Sequence, residues 1–482
     1  MSLTAPLSAH ARARPDATAL VFDGDRISWA ALDRAVSRLA ALVAEKVPKG
    51  RGLALSLPNS PALVLLVLAA CRAGREAEVL DPSWPQATFA GVVERLNPGW
   101  VVAGLPDLAF AAVADALDAP ATPPPLAEPS PQLPFYVGFT SGSTGLPKGF
   151  RRSQASWIAS IEGESAVFGL TDADTVLAPG ALVHSLFLYA VVRGVFAGAT
   201  VVFGPRFSAR AALAAIASEG VRLVYAVPTQ LLMMLEAAER AGQRPLGGVR
   251  QVLSSGAKWP ATETARLKRL FPDAAFAEFY GASELSYVAV AGEDAPAASV
   301  GRPFPGVEVT IRDAAGRRLP AGRSGRVFVN SALCFIDYAT GAQPALTRLG
   351  AAVSVGDMGF LDAAGFLYLV GRADRMIISS GRNIHPEEIE AALRRHPAVA
   401  EAAVLGVDDA LRGTRLAAVV RPDGPFAPSA AELIAFARAH LPVAKIPRHY
   451  AVLADWPFTA SGKTDFAGVR RAWQAGACAA LS

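Results

Sequence analysis

Thr140-Ser141-Gly142-Ser143-Thr144-Gly145-Leu146-Pro147-Lys148-Gly149 follows an apolar run, 135–139, that reads as a strand. The stretch concentrates hydroxyls, glycines and one lysine in a single turn. Glycines let backbone N–H groups converge on an anion, Ser and Thr hydroxyls add donors, and Lys148 supplies a compact positive charge. Together these describe a cradle for a polyphosphate. The G-x-x-x-x-G-K-[ST] spacing of a P-loop fails at every glycine of the run, which disfavours a P-loop NTPase. An ordinary Gly/Ser loop is the plain alternative, but the run is too long and too consistent in its chemistry for that reading. Lysine is scarce elsewhere, at 46, 49, 258, 268, 445 and 463, so a lysine inside a glycine loop carries information here.

On either side of this loop the chain reads as a large α/β protein. Its 482 residues are enough for several hydrophobic cores, and 52% apolar against 18% charged residues is far from a disordered composition. A net charge of +4 without a dense Lys/Arg block is weak support for a nucleic-acid surface, and a small anionic ligand accounts for it equally well. Cys71, Cys334 and Cys478 are too scattered for a local metal cluster, which suits a reducing cytoplasm. The first residues given lack the basic, apolar and small-residue segments expected of a signal peptide. The apolar run 62–71 is about half a bilayer span and reads as a buried helix rather than a membrane segment.

The first part alternates strands with Ala-rich helices: a turn at Asp23-Gly24, a helix over 29–43, a strand over 53–57. Residues 119–134 are crowded with proline and separate two packed units. From 175 to 280 short β-rich runs alternate with helical stretches, the pattern of a mainly parallel sheet whose site lies at strand ends. A small β unit with Pro-Gly and Ala-Gly turns begins near Gly301. The last hundred or so residues form a small α+β domain. There Pro386 suits a first helical turn, and Ser429 with Glu432 suits a capping box ahead of a helix over 430–440.

Further motifs follow the phosphate loop in order: Phe279-Tyr280-Gly281-Ala282-Ser283-Glu284, Gly356-Asp357, Gly371-Arg372-Ala373-Asp374 and Ala460-Ser461-Gly462-Lys463. With the loop, this series resembles the adenylate-forming superfamily of acyl-CoA synthetases, peptide-synthetase adenylation domains and luciferases, over nearly the whole chain. The resemblance implies a large AMP-binding N-terminal domain over 1–370, a hinge over 371–375, and a mobile C-terminal domain over 376–482 carrying the catalytic lysine. It implies ATP, Mg²⁺ and CoA as the cofactor and co-substrates, a small-molecule carboxylic acid as substrate, no nucleic-acid partner and no transmembrane segment.

The same resemblance assigns roles that elementary chemistry supports. A carboxylate is a poor acyl donor because its leaving group is hydroxide-like, and an acyl-AMP replaces that with a phosphate leaving group. Lys463 would neutralise charge between the acid oxygen and the α-phosphate. Thr140, Ser141, Gly142, Ser143, Thr144 and Lys148 would hold the phosphates, and Glu284 would ligate Mg²⁺ through a hard oxygen. Tyr280 would stack on adenine beside Gly256, Ala257, Gly281, Ala282 and Ser283. Asp357 would accept the ribose hydroxyls, with Arg372 adding a donor. Asp374 would be the hinge, so that one site serves adenylation and then thioester formation. Ser380 and Gly381 would line the thiol tunnel.

The acyl group would lie among His184, Tyr225, Ala226, Val227, Ser255 and Gly256, with His184 beside the carboxylate. The small and apolar residues Ala226, Val227, Gly256, Ala257 and Ala282 imply an apolar aliphatic or aryl acid, since no fixed positive charge stands among them. The stretch 181–186 has no Asp to hold an ammonium, which argues against an α-amino acid. The short path from 329 to 356 leaves no room for the extra segment of long-chain acyl-AMP ligases, so CoA is the favoured thiol. Loading of an acyl carrier protein is the alternative. A non-catalytic nucleotide sensor is a rival of another class, disfavoured because it would need neither Lys463 nor Glu284. Phe466, where relatives often carry Arg, and Gln154, in place of a common His, depart from the pattern; both would tune phosphate or nucleotide contacts.

Overall fold

The structure, a computed structural model, describes residues 1–104, 126–140, 146–341, 346–379, 382–409, 413–458 and 464–481. Ser141, Gly142, Ser143, Thr144, Ser380, Gly381 and Lys463 lie outside the described residues.

The helix Pro61–Arg72 explains the long apolar run: Ser60 caps it, accepting from Leu63 N at 3.3 Å, and Pro61 sits in its first turn. Every residue from 62 to 71 is buried, so the helix is apolar all round because it is covered all round. It packs on the helix Trp29–Lys46 inside the main core, which also takes in residues of both large sheets. Truncating one of its side chains, as in Leu65→Ala, would cost about 2–5 kcal/mol.

Two sheets enclose that core. One runs Arg302–Pro303, Ser286–Ala291, Ala275–Ala282, Gln251–Ser255, Leu223–Ala226, Thr175–Leu177, Thr200–Phe203, Thr18–Phe22, Asp25–Ser28. Its interior, from Ala275–Ala282 to Thr18–Phe22, is parallel. Its edges are antiparallel, and Asp23 and Gly24, with φ of 51° and 94°, make the turn at one of them. The other runs Asp337–Tyr338, Lys148–Ser153, Pro134–Thr140, Glu76–Val79, Gly52–Ser56, Trp100–Ala103. A third sheet contains Glu308–Arg312, Gly325–Asn330, Thr347–Leu349, Ala352–Ser354, Asp357–Leu361 and Leu367–Arg372, the β unit expected from the Gly301 region onward.

The C-terminal part has its own two cores, apart from the main one. Its sheet orders Val399–Asp409, Gly413–Pro422, His449–Val452, Ala479–Ala480. The helix Ala430–His440 starts with the expected capping box, Glu432 N donating to Ser429 Oγ at 3.2 Å and Ser429 N to Glu432 Oε2 at 2.8 Å. A large α/β N-terminal domain and a smaller α+β C-terminal domain result. Among the described residues no helix is long and apolar enough to cross a membrane.

Candidate active site

The parallel strands Leu223–Ala226, Gln251–Ser255 and Ala275–Ala282 end side by side, and the positions next to open sheet ends are where α/β proteins bind ligands. Val227, Gly256 and Ala282 sit at or just beyond those ends. Gly256 has φ of +92°, a value that favours glycine, and it leaves the turn free of side-chain bulk. At Gly281 an added Cβ would collide with the Ser286 carbonyl oxygen, so the close pairing of this strand with Ser286–Ala291 requires glycine.

Beside these ends the structure joins residues from separate motifs. Tyr280 Oη donates to Asp357 Oδ2, while Arg372 Nη1 donates to Asp357 Oδ1 at 3.1 Å and Arg372 Nη2 to Val355 O at 2.8 Å. Arg372 also reaches Asp374 at 3.2 Å. Burial above all, and then Asp357, pushes the Tyr280 hydroxyl well up, so it stays a neutral donor. The tyrosine expected to stack on adenine is therefore also the partner of the residue expected to accept the ribose hydroxyls. Three side chains that could grip a nucleoside converge here, with a carboxylate free to exchange Tyr280 for sugar hydroxyls.

Glu284 is buried, with the Tyr338 hydroxyl donating to its Oε1 at 2.8 Å. Its turn is propped from behind by Arg152, whose Nη1 donates to Ser283 O at 3.0 Å and Nη2 to Leu333 O at 2.6 Å. Among the described residues no group of three His, Cys, Asp or Glu forms a metal cage. A single carboxylate completed by phosphate oxygens and water is how Mg²⁺ is usually held in nucleotide sites, so Glu284 fits that ion. Such an ion would bring charge neutralisation to the phosphates.

The two ends of the phosphate loop are fixed. Thr140 and Lys148 face one another across an antiparallel ladder, and Gly149 N donates to Thr340 Oγ1 at 2.9 Å. His184 precedes the helix Ser185–Ala197, and Ser185 Oγ lies 3.4 Å from Ser283 Oγ. Ser185 thus stands against the Glu284 turn, with His184 next to it in the chain.

Several expected site residues have other surroundings. Tyr225 and Ala226 are fully buried, and Tyr225 Oη donates to the equally buried Glu164. Gln154 is a core anchor, accepting from Leu3 N at 2.9 Å and donating to Cys71 O at 3.3 Å, which corrects the expectation that it tunes phosphate contacts. Phe466 stacks under Arg375, whose guanidinium carbon is 3.4 Å from the ring centroid. Arg375 also binds Glu387 at 3.1 Å and Glu390 at 2.5 Å. Arg193, in the helix that follows His184, is fully buried against Glu164, a pair that the motifs did not single out. One signal did exist, an arginine inside the apolar run Ser185–Ala197.

The Tyr280–Asp357–Arg372 contacts beside the ends of a parallel sheet, with a smaller C-terminal domain, fit an adenylate-forming enzyme. The chain belongs to the AMP-binding enzyme family, whose model matches residues 7–338 and whose C-terminal domain model matches 388–463. It is 36% identical to the uncharacterized acyl–CoA ligase YhfT of Bacillus subtilis (strain 168), over 96% of each chain. It is 29% identical to the fatty acid–[acyl-carrier-protein] ligase ScoC of Streptomyces coeruleorubidus, over 96% of this chain and 94% of that one. Its fold is similar to o-succinylbenzoate CoA synthetase of Bacillus subtilis in complex with its acyl-adenylate intermediate. The TM-score is 0.85 at 27% identity, covering 96% of this chain and 97% of that one.

Proposed function

We propose that the protein converts a compact carboxylic acid, aliphatic or aryl, to its acyl-adenylate with ATP and then transfers the acyl group to CoA. Pyrophosphate leaves in the first half-reaction and AMP in the second. The observation that carries this reading is the contact of Tyr280 with Asp357 and of Asp357 with Arg372, which unites three separated motifs around one place for a nucleoside.

In this reading Asp357 and Arg372 hold the ribose, Glu284 holds the magnesium ion, and Lys148 and the hydroxyls of 140–144 hold the outer phosphates. Ser283 and His184 border the reacting carboxylate, and the acyl tail lies near Val227, Gly256 and Ala282. Lys463 stabilises the charge that develops as the acid oxygen attacks the α-phosphorus. The small domain turns at Asp374 between half-reactions, and Ser380 and Gly381 flank the incoming thiol.

A screen of pyrophosphate release over aliphatic and aryl acids, with and without CoA, tests the proposal. Acid-dependent pyrophosphate release followed by CoA thioester formation supports it. Release without any CoA thioester sinks the CoA assignment and favours carrier-protein loading, the second reading, for which the likeness to ScoC speaks.

A further inference from the structure

The helix Ser185–Ala197 carries a polar stripe through an otherwise apolar core. Ser185, Tyr189 and Arg193 are spaced four apart and share one face. The stripe starts against Ser283, at the turn that carries Glu284, and ends on Arg193. There Arg193 Nε lies 2.8 Å from Glu164 Oε2, and both side chains are 0% exposed. Tyr189 Oη donates to the same carboxylate at 2.7 Å, and Tyr225 Oη donates to its other oxygen. Arg193 Nη1 and Nη2 have no hydrogen-bond partner among the described residues. A fully buried guanidinium with two unpaired nitrogens is costly, and native interiors rarely tolerate it without a use.

The elements that supply this cluster are the ones that frame the acyl region. Tyr225 directly precedes Ala226 and Val227, and Tyr287, whose ring lies 5.9 Å from that of Tyr189, pairs with Gly281 across the strand ladder. An acid with its carboxylate beside Ser283 and His184 and its tail along this helix would run beside the stripe. From Ser185 to Arg193 is roughly 12 Å of helix axis. A single ring with a short side chain fills that span, and an acetate-sized acid does not reach its end.

Charge decides what the far end of the tail carries. Burial above all pushes the Tyr189 and Tyr225 hydroxyls far up, so they are neutral, and Glu164 cancels Arg193. A second carboxylate would enter as a buried charge without a counter-ion. A plain hydrocarbon end would leave Nη1 and Nη2 unpaired. A neutral oxygen avoids both costs.

We propose that Arg193 is a specificity residue whose Nη1 and Nη2 donate to an uncharged oxo or hydroxyl oxygen at the far end of the acid, making the substrate an oxygenated monocarboxylic acid. This rests on the ligase reading above. The test measures pyrophosphate release by the full-length protein with matched acids: cinnamate against 4-hydroxycinnamate, octanoate against 7-oxooctanoate, and suberate as the dicarboxylate. The oxygenated member of at least one pair should show a kcat/KM tenfold or more above its parent, with suberate poorest.

Arg193→Met alone strands Glu164 and risks misfolding. The double variant Glu164→Gln/Arg193→Met removes both charges, and with its fold checked by thermal melting its preference should fall to within about twofold. Equal or greater activity on the unsubstituted acids of both pairs in the unaltered enzyme overturns the proposal without any variant. So does a preference that survives in the folded double variant. No pyrophosphate from any acid strikes instead at the ligase reading, and takes this proposal with it.

Discussion

Tyr280 Oη donates to Asp357 Oδ2, tying the end of a nine-stranded-sheet strand to the first residue of a strand in the small β unit. The acceptor thus held in readiness also carries Arg372 on its other oxygen. Ribose binding would replace one hydroxyl donor with others, so the site exchanges hydrogen bonds rather than creating them from bare groups.

Asp357→Asn should raise the KM for ATP about tenfold, because it loses a charge-assisted acceptor worth about 1.5 kcal/mol or more. Tyr280→Phe should raise it less, since Arg372 still holds the carboxylate. Steady-state kinetics at saturating acid checks both. An unchanged ATP KM in Asp357→Asn would remove this residue from nucleotide binding.

Lys463→Ala should lower adenylation by about a hundredfold or more, as loss of a transition-state charge partner does. Thioester formation from supplied acyl-AMP should stay largely intact. Equal loss in both half-reactions would contradict the role proposed for this lysine.

Glu78 gives a pH signature. It is almost wholly buried, Oε2 has no hydrogen-bond partner among the described residues, and burial, followed by Glu76 and offset by Arg151, pushes its carboxyl up to about 8. Below the ordinary value of 4.5 both folded and unfolded chains hold the proton, and the neutral group contributes fully. As pH rises toward 8 the unfolded chain releases that proton first, and stability is lost at up to about 1.4 kcal/mol per pH unit. Glu78→Gln should therefore gain in Tm over the unaltered protein between pH 5 and pH 8.5. Parallel Tm profiles would show that the group does not titrate this way.

Arg375→Ala should destabilise the small domain by about 3 kcal/mol, because it leaves the buried Glu390 without its cation. Denaturant unfolding followed by fluorescence of Trp456 and Trp473 checks it. A variant as stable as the parent would mean that the Phe466 stack and the two ion pairs contribute little.

Much of the architecture was legible because it rests on local signals. The apolar run at 62–71, the capping box at Ser429 and Glu432 and the turn at Asp23-Gly24 each have one physical solution, and the structure adopts it. The grouping of Tyr280, Asp357 and Arg372 came from motif order, since nothing in their spacing brings them together. Contacts between distant side chains were hidden. Gln154 sits inside a motif-bearing stretch yet anchors Leu3 and Cys71, and Tyr225 is bound to Glu164 because a buried carboxylate needs donors. Arg193 was readable as a lone charge in an apolar helix. Its partner Glu164, on another helix, was not.

The bonding around residues 372–375 has a modular consequence. Arg372 draws Asp374 toward Asp357 and Val355, whereas the very next residue, Arg375, is claimed by Glu387, Glu390 and Phe466. The side-chain ion pairs pass from one body to the other across a single peptide link. Under the proposed rotation, a joint that narrow would confine the swing to a few torsions and let the small body travel as an interchangeable cassette. Grafts from relatives should be cut between Asp374 and Arg375, where among the described residues only the bond from Arg375 N to Arg372 O at 3.2 Å and the Arg372 backbone contact with Glu387 cross and each arginine keeps its own ion pairs.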